Sequence, residues 1–365
     1  TRLQGDWSSD VCSSDLKDPS AHFQTKTYTG TNNSNALTND GNSDLKPDFI
    51  WIKRRDYDNG HQLLDSTRGV DKILGSELNS AETTLANRLS SFDTDGFTVE
   101  SSSGAYNASG EPFVAWQWKA NGGTTSSNTD GTITSTVQAN QDAGFSIVTY
   151  TGTGVYNKTV GHGLGIAPAV VILKNRTTGE GSYDDWWVYH KNLSNPVNRG
   201  LRLNETGAEQ ATTVLWSVVP SSTIFGVGGS VNQPRYTNAD SDDYIAYCFA
   251  EKQGYSKFGS YVGNGSTNGP FVYTGFKPAL IITKNADGTD SWNLLDNKRS
   301  PHNAADKYLQ ADNANAEGTY TFYDILSNGF KIRNTGNANI SGNNITYMAF
   351  AENPFVAGGV PTTAR

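Results

Sequence analysis

Three segments of the chain repeat one pattern of apolar and polar positions. In each, a proline and one further residue are followed by four or five mostly apolar residues, rich in Val, Ile and aromatics, and then by Lys. The copies are residues 45–53, 166–174 and 276–284. Proline can open a strand but lacks the N–H that a strand interior needs. A continuous apolar run indicates a strand covered on both faces. The pattern therefore predicts three equivalent strands in three copies of one unit.

Apolar strands also open and close each copy. Opening strands begin near residues 23, 145 and 257, and closing strands cover 113–119, 244–249 and 347–350. Because the first and last strands are similarly apolar, we expect them to lie side by side in one sheet. Alanine recurs in the closing strands, at Ala115, Ala246 and Ala349. This recurrence predicts a place where the opposing backbone packs too closely for a larger side chain.

These patterns predict an all-β protein of three tandem β-sandwich modules, jelly-roll or lectin-like. The predicted modules are residues 22–121, 144–254 and 255–356. Residues 122–143 form a linker rich in Gly, Ser, Thr and Asn, in which Ile133–Val137 alternates as a paired strand would. Residues 80–89 have modest helical character, and residues 357–365 are predicted to be a disordered tail.

Composition and charge narrow the function classes. The chain has 38 Gly, 17 Tyr, 15 Phe and 8 Trp but only 18% charged residues, which favours strands over exposed amphipathic helices. The net charge is −8, and no basic patch is visible. Binding to nucleic acid or to an anionic membrane surface requires clustered Lys and Arg, so neither partner is predicted. No apolar run approaches the roughly 20 residues of a membrane span, and no export signal is visible.

The first residues have a different character from the rest. Residues 6–16 resemble the translation of a sequencing adapter, so we predict that residues 1–21 are an artefactual or disordered leader. Without that leader Cys248 is the only cysteine. An intramolecular disulfide is then impossible, which rules out a secreted disulfide scaffold.

Candidate catalytic groups are few. There is no Gly-x-Ser-x-Gly motif, and Cys248 lies within a strand, where an inert buried thiol is expected. Asp65 and Asp296 follow equivalent strands, and Glu251 and Glu352 follow two closing strands, but each pair is missing from one copy. Glycoside hydrolysis needs two carboxylates across a cleft. The five histidines are scattered, without metal-ligand spacing. We therefore predict no catalytic residue and no cofactor.

Two acidic loops are the candidates for a metal site. Asp240, Asp242 and Asp243 in one loop and Asp287 and Asp290 in the other place oxygen atoms at alternate positions, as calcium loops do. Neither loop fits the 12-residue EF-hand pattern. Ordinary turns explain both loops better, so no metal is predicted.

The densest aromatic group is the candidate ligand-binding site. It consists of Tyr183, Trp186, Trp187 and Tyr189, whose ring faces could stack on sugars. The alternative is a core position. Trp186 and Trp187 must face opposite sides of a strand, so one could be buried and the other exposed. Trp292 repeats one of them in the third copy, which favours the core for that position.

Several segments together carry a resemblance to a known family. These segments are residues 46–55, 92–99, 127–131, 160–165, 187–191 and 325–331. Through them the chain resembles, over residues 22 to 356, tail-fibre-like and other virion structural proteins of marine bacteriophages. The resemblance implies a particle-associated, non-enzymatic structural or adhesive protein, and it supplies no catalytic residues.

The resulting hypothesis is a virion tail or fibre component, assembled in the host cytoplasm, whose modules act as spacers. Its expected partners are other virion proteins and glycans of the host surface. The alternatives are a polysaccharide depolymerase and a capsid-surface decoration protein. Fibres are often homotrimers, and the sequence leaves this state open because it carries neither heptads nor collagen-like triplets.

Overall fold

The computed structural model describes residues 16–100, 104–179, 183–211, 213, 215–229 and 235–354, with the backbone of 356–357 and 360–361. Strands make up 43% of the chain and helix 2%, which confirms the all-β prediction. In the described part of the chain, no helix has the length and apolar character needed to cross a membrane.

The first repeat, residues 23–118, follows a 3₁₀ turn at Pro19–Ala21. Its strands are β1 (Phe23–Thr29), β2 (Asn35–Thr38), β3 (Phe49–Arg54), β4 (Gln62–Asp65), β5 (Gly69–Leu74), β6 (Thr83–Thr84), β7 (Leu89–Asp93), β8 (Gly96–Val99) and β9 (Pro112–Trp118). One sheet has the order β1-β9-β3-β4-β5-β6, and β2-β8-β7 form a second. Gly96 opens β8 at φ 111°, and its Cα lies against the backbone of β2, where a side chain would clash; both features require glycine.

The second repeat, residues 126–249, adds two strands before its opening strand. Its elements are β10 (Ser126–Asn128), β11 (Ser135–Asn140), β12 (Phe145–Thr151), β13 (Lys158–Gly161), β14 (Val170–Asn175), β15 (Trp187–His190), β16 (Arg199–Arg202), β17 (Gln210–Ala211), β18 (Ile224–Val227), α1 (Arg235–Asn238) and β19 (Asp243–Phe249). The large sheet has the order β10-β11-β12-β19-β14-β15-β16-β17, and β13 pairs with β18. The predicted linker, 122–143, thus contributes two strands to this sheet.

The third repeat covers residues 256–350. A short hairpin follows it and includes residues 357, 360 and 361, which the sequence analysis assigned to a disordered tail. The strands are β20 (Ser256–Val262), β21 (Phe271–Tyr273), β22 (Leu280–Asn285), β23 (Asn293–Asp296), β24 (Ala305–Gln310), β25 (Gly318–Leu326), β26 (Gly329–Ile332), β27 (Asn344–Phe350), β28 (Val356–Ala357) and β29 (Val360–Pro361). Repeat 3 forms one sheet in the order β20-β27-β22-β23-β24-β25-β26-β21.

The three repeats share one strand order. In each, the opening strand pairs with the closing strand, which pairs with the proline-led strand, as in β1-β9-β3, β12-β19-β14 and β20-β27-β22. The prediction that first and last strands lie side by side is confirmed. The three proline-led segments therefore occupy equivalent places, and residues paired with the same position in those strands are equivalent.

The repeats pack around one common core. One cluster of buried side chains draws members from all three, among them Trp51, Ile172 and Ile282 from the proline-led strands. At its centre the last residues of the closing strands meet: the rings of Trp118 and Phe350 are 5.5 Å apart, and those of Phe249 and Phe350 are 5.6 Å apart. The opposite face of each large sheet covers a core of its own. The serial array of separate spacers that the sequence suggested is therefore replaced by a closed group of three sheets.

Two local predictions were wrong. Residues 80–89 are not helical; β6 lies there, and the Glu82 N–H donates to the Arg176 carbonyl across a contact between repeats, which holds the backbone extended. Ala349 is not equivalent to Ala115 and Ala246, because the residue at that place in repeat 3 is Tyr347. Gly259 lies opposite Tyr347 in β20 and leaves room for its ring.

Candidate functional site

The predicted aromatic group is largely buried. Trp186 lies in the common core, whereas Trp187 and Tyr189 lie in the separate core of repeat 2. The two tryptophans face opposite sides of the sheet, as expected, but both are buried. Tyr183 packs edge-on against Tyr236 and lies under the Arg235 guanidinium at 4.5 Å. A sugar platform formed by all four residues is thus incorrect, because three of the rings have no free face.

The acidic loops serve as hydrogen-bond acceptors. Asp242 accepts from the Asn175 side chain at 2.8 Å, and Asp243 accepts from the Thr151 hydroxyl at 2.8 Å. In repeat 3, Asp290 accepts from the Asn285 side chain, and Asp287 accepts from a backbone N–H, both at 2.7 Å. Asp240, the remaining candidate, lies beside Gly154. Across the described residues, no three His, Cys, Asp or Glu side chains converge to hold a metal ion.

A first set of contacts joins each repeat to the one before it through a ring N–H. The ring lies just before the strand that follows the proline-led strand, and it bonds to the carbonyl of an equivalent residue in the neighbouring repeat. The three bonds are Trp186 Nε1 to Gly75 O (2.8 Å), Trp292 Nε1 to Arg202 O (2.8 Å) and His61 Nε2 to Gln310 O (2.9 Å). Because repeat 1 bonds back to repeat 3, the set closes into a ring.

His61 replaces tryptophan at the third of these positions. Its Nδ1 accepts a hydrogen bond from Trp51 Nε1 at 2.8 Å, so Nε2 must carry the proton that goes to the Gln310 carbonyl. Complete burial lowers the pKa of His61 to about 3. The imidazole is therefore neutral and serves as a structural link.

A second set of contacts involves Asp65 and Asp296, the equivalent acids that the sequence raised as a catalytic pair. Both side chains are fully buried, and each is paired with an arginine three residues later, Arg68 or Arg299. Asp65 also accepts from the Tyr247 hydroxyl of repeat 2 at 2.8 Å. Asp296 accepts from Trp116 Nε1 of repeat 1 at 3.1 Å. The two acids therefore stabilise different interfaces and do not form one site.

The equivalent place in repeat 2 is apolar. His190 lies at the position of the aspartate, and Leu193 lies at the position of the arginine. Both face repeat 3. There Met348 occupies the position that Trp116 has in repeat 1 and Tyr247 has in repeat 2. His190 Nε2 lies 3.3 Å from the Tyr347 carbonyl. Burial lowers the pKa of His190 to about 4, which keeps its imidazole uncharged at neutral pH.

A third set of contacts uses a glutamate in each repeat. It lies seven residues after the residue whose carbonyl accepts the ring N–H of the neighbouring repeat. The backbone N–H of each donates to the neighbouring repeat: Glu82 to Arg176 O (2.9 Å), Glu209 to Ala286 O (2.7 Å) and Glu317 to Arg55 O (2.6 Å). The carboxylates of Glu82 and Glu317 also pair with those arginines. Burial alone would raise the pKa of Glu317, but hydrogen bonds and charge from Arg55 and Arg299 lower it below its usual value.

The lysine that ends each proline-led segment is buried. Lys53, Lys174 and Lys284 each donate to the carbonyl of the next residue, at 2.7, 2.6 and 2.7 Å. Lys174 also bonds to Asn79 O of repeat 1, and Lys284 bonds to Thr206 O of repeat 2. Burial lowers the pKa of all three to about 8. The recurrence of this lysine was visible in the sequence, but its role between repeats was not.

An asparagine in each repeat holds the turn after the opening strand, and the sequence analysis missed it. Asn107, Asn238 and Asn339 accept from the backbone N–H of Thr31, Thr153 and Asn264, each at 2.9 Å. The signal was an Asn followed by Ala or Ile a few residues before each closing strand. These asparagines fix the loops at one end of each opening strand.

Two further titratable side chains, Cys248 and His162, are buried. Burial raises the pKa of the Cys248 thiol and lowers that of His162 to about 4. A void of about 10 Å³ lies in the common core and is lined by Phe49, Trp118, Phe249 and other apolar side chains. This void is at the lower limit for one water and offers no polar partner.

Aromatic side chains on the surface are the remaining candidates for binding. Within the described ranges, the large exposed rings are Tyr57 (59%), Tyr156 (42%), Phe271 (46%), Tyr273 (64%) and Tyr320 (49%). Three of the five belong to repeat 3. We call Phe271 and Tyr273 on β21 the edge aromatics.

The fold and the contacts define one all-β domain in which three sheets of the same strand order enclose a common core. The chain belongs to the family described as Domain of unknown function (DUF7483), which matches residues 18–354. This match spans all three repeats, in agreement with their shared core. No curated protein and no solved structure matches the chain.

Proposed function

We propose that the chain is a non-enzymatic structural component of a bacteriophage particle, in a tail fibre or adhesin, which works among other virion proteins. The observation that carries the proposal is the closed ring of interface contacts. Ring N–H groups, glutamate N–H groups and the central aromatic cluster join every repeat to both others. Together with the resemblance to virion proteins, this favours a rigid building block.

The positions and contacts of the acidic residues support the same proposal. A depolymerase would need two carboxylates facing a cleft. Asp65 and Asp296 are buried, paired with arginines and located at different interfaces. Glu251 and Glu352 are paired with lysines. These four acids are therefore accounted for by structural contacts.

The common core also bears on the oligomeric state. Fibre proteins often associate as trimers, but here one chain supplies three equivalent sheets around one core. We propose that the purified chain is a monomer whose three repeats take the arrangement that three subunits have in a trimer. Light scattering coupled to size-exclusion chromatography should give a mass near 39.3 kDa. A mass three times larger would contradict this proposal.

Host contact is proposed to use the exposed rings of repeat 3, because the predicted aromatic group is buried. The test is a glycan array probed with the wild type and with Tyr320→Ser, whose ring is exposed. Reduced glycan binding by Tyr320→Ser, with an unchanged thermal midpoint, would support glycan contact at this surface. Equal binding by both proteins would contradict it.

The structural role is tested directly on particles and on polysaccharide. Gold-labelled antibody against the chain should decorate the tail of particles whose genome encodes it; label on the capsid would favour a decoration protein. Incubation with host capsular polysaccharide should release no reducing ends beyond those seen with heat-denatured protein. Release by the native protein would contradict the non-enzymatic proposal.

A further inference from the structure

Repeat 2 carries a segment, residues 126–140, that has no counterpart among the described residues of the other two repeats. We call this segment the strap. Its strand β11 pairs antiparallel with the opening strand β12 and β10 pairs with β11. Between β10 and β11, Ile133 forms a parallel bridge with Val160 of β13. The strap therefore joins the outer edges of both sheets of repeat 2 and closes the gap between them.

Hydrogen bonds and apolar contacts both hold the strap. The Ile133 N–H donates to Thr159 O at 3.0 Å, and the Ser135 hydroxyl donates to Gly161 O at 2.8 Å. The side chains of Ile133 and Val137 are buried in the core of repeat 2. An extended segment with β-branched residues at alternating positions thus completes this repeat.

The corresponding side of repeat 3 is open. Only six residues, 250–255, connect β19 to β20, which is too short for a strap. β20 and β21 are the two end strands of the repeat 3 sheet, and among the described residues no further strand pairs with either. Val272 of β21 is equivalent to Val160, because each pairs with the matching phenylalanine of its repeat.

The backbone of β21 presents free hydrogen-bonding groups on this side. The Ile332 N–H donates to Pro270 O, and the Thr274 N–H donates to Asn328 O. The backbone N–H and C=O groups of the even-numbered residues therefore point toward β26. In an antiparallel pair the alternate residues point the other way. The N–H and C=O groups of Phe271 and Tyr273 therefore face outward, like those of Thr159 and Gly161, which face the strap in repeat 2.

The side chains on this edge distinguish repeat 3 from repeat 1. The edge aromatics are exposed, and so is Val262 at the end of β20. Repeat 1 has Ala36 and Thr38 at the positions of the edge aromatics. Soluble proteins usually protect edge strands with charge, proline or a covering segment, and an exposed apolar edge is a template for strand addition. The three residues of β21 include no charge and no proline, and no described segment covers its outer edge.

We propose that an extended segment of a partner protein adds to the outer edge of β21 and closes repeat 3 as the strap closes repeat 2. The partner segment runs parallel to β21, carries a β-branched apolar residue facing Val272 and has little charge, as residues 131–137 do in repeat 2. The edge aromatics pack against its side chains. This inference stands independently of the proposed function.

The test uses a fluorescent synthetic peptide with the sequence of residues 128–138. Fluorescence anisotropy should show that the peptide binds to the wild-type chain. Its affinity for the Phe271→Lys/Tyr273→Lys variant should be lower by a factor of about ten or more, because lysine on an edge strand opposes strand addition. The matched control is Ala36→Lys/Thr38→Lys at the equivalent edge of repeat 1, which should bind the peptide like the wild type. A peptide with Ile133→Asp should not bind.

Hydrogen exchange on the wild-type chain gives a measurement that requires no variant to fold. The amides of Phe271 and Tyr273 should become protected when the peptide is present. The proposal is overturned if the peptide does not bind, if both lysine variants bind equally, or if protection appears only at β12 and β13. Dimerisation of the peptide-free chain through β21 would also overturn it, since the occupant would then be a second copy.

Discussion

Two kinds of interface join the three repeats, and they differ in chemistry although their backbones match. The interfaces of repeat 1 with repeat 2 and of repeat 3 with repeat 1 contain a buried aspartate–arginine pair and a glutamate–arginine pair. The interface of repeat 2 with repeat 3 has His190, Leu193 and Ala286 at the matching places. We call the first two ionic interfaces and the last the apolar interface.

The comparison shows which contacts the architecture requires. The ring N–H and the glutamate N–H reach a carbonyl of the neighbouring repeat at all three interfaces. Among the described residues, the aspartate–arginine and glutamate–arginine pairs occur at only two. A buried ion pair can often be replaced by apolar residues without net loss, whereas removal of one partner is costly. The backbone contacts thus set how neighbouring repeats are arranged. The space between the repeats is filled by charged pairs at two interfaces and by uncharged side chains at the third.

The largest expected effect is at the apolar interface. Trp292→Ala removes a buried indole and its hydrogen bond to Arg202 O, and should lower the free energy of unfolding by about 3–5 kcal/mol. His61→Ala, at the same position of an ionic interface, removes a smaller ring and should cost less. Urea unfolding followed by tryptophan fluorescence and circular dichroism measures both. Equal losses would mean that the two kinds of interface depend on this contact alike.

Removal of one carboxylate from a buried ion-pair network should have the next largest effect. Asp296→Ala leaves Arg299 buried with Glu317 as its remaining carboxylate partner, and should cost about 3 kcal/mol. The double variant Asp296→His/Arg299→Leu installs the residues of the apolar interface and should recover at least half of that loss. If the double variant were as unstable as the single one, the two fillings would not be interchangeable. Urea unfolding of the single and double variants measures both losses.

The glutamate contacts allow a smaller, matched comparison. Glu317→Ala removes a carboxylate that pairs with Arg55 and Arg299. It should cost about 1–2 kcal/mol, because Arg299 is buried but keeps Asp296, and Arg55 is partly exposed. Glu209→Ala, at the apolar interface, should cost under about 1 kcal/mol, since its carboxylate bonds to Ser194 and faces no arginine of repeat 3. Thermal unfolding should rank the variants in this order. The reverse order would show that Glu209 has a role beyond its backbone N–H.

A further effect, of about the same size as the smaller glutamate contact, concerns pH. His61 has a folded-state pKa of about 3, below its unfolded value near 6.5, so the unfolded chain binds the proton first. Its contribution is present above pH 6.5 and is lost as the pH falls toward 3. Between pH 7 and 5.5 the loss should be about 1 kcal/mol. His61→Gln should show a shallower decline over this interval, while a decline equal to that of the wild type would contradict the assignment.

Much of the fold followed from local patterns. The proline-led apolar runs predicted equivalent strands, and the apolar character of the first and last strands predicted their pairing, because both features depend on nearby residues. The runs also indicated cover on both faces of each strand. They could not show that one face is covered by the sheets of the other two repeats, since that contact joins residues far apart in sequence, such as Phe49 and Tyr247.

The candidate site was predicted less well for a related reason. Trp186 and Trp187 were correctly assigned to opposite faces, but burial of both depends on the neighbouring repeat and on a separate core. Asp65 and Asp296 recur in sequence because two interfaces recur, and recurrence alone cannot distinguish an interface from a reaction centre. The edge aromatics break the repeat pattern, and such a departure is harder to recognise than a recurrence.

The closed ring of repeats within one chain has a consequence for how the protein can change. In an assembly of three identical subunits, every substitution appears at all three contacts together. Here Leu193 occupies one contact while Arg68 and Arg299 remain at the others. Each contact can therefore diverge by itself, and one face can acquire a specialised surface while the remaining two keep the domain folded.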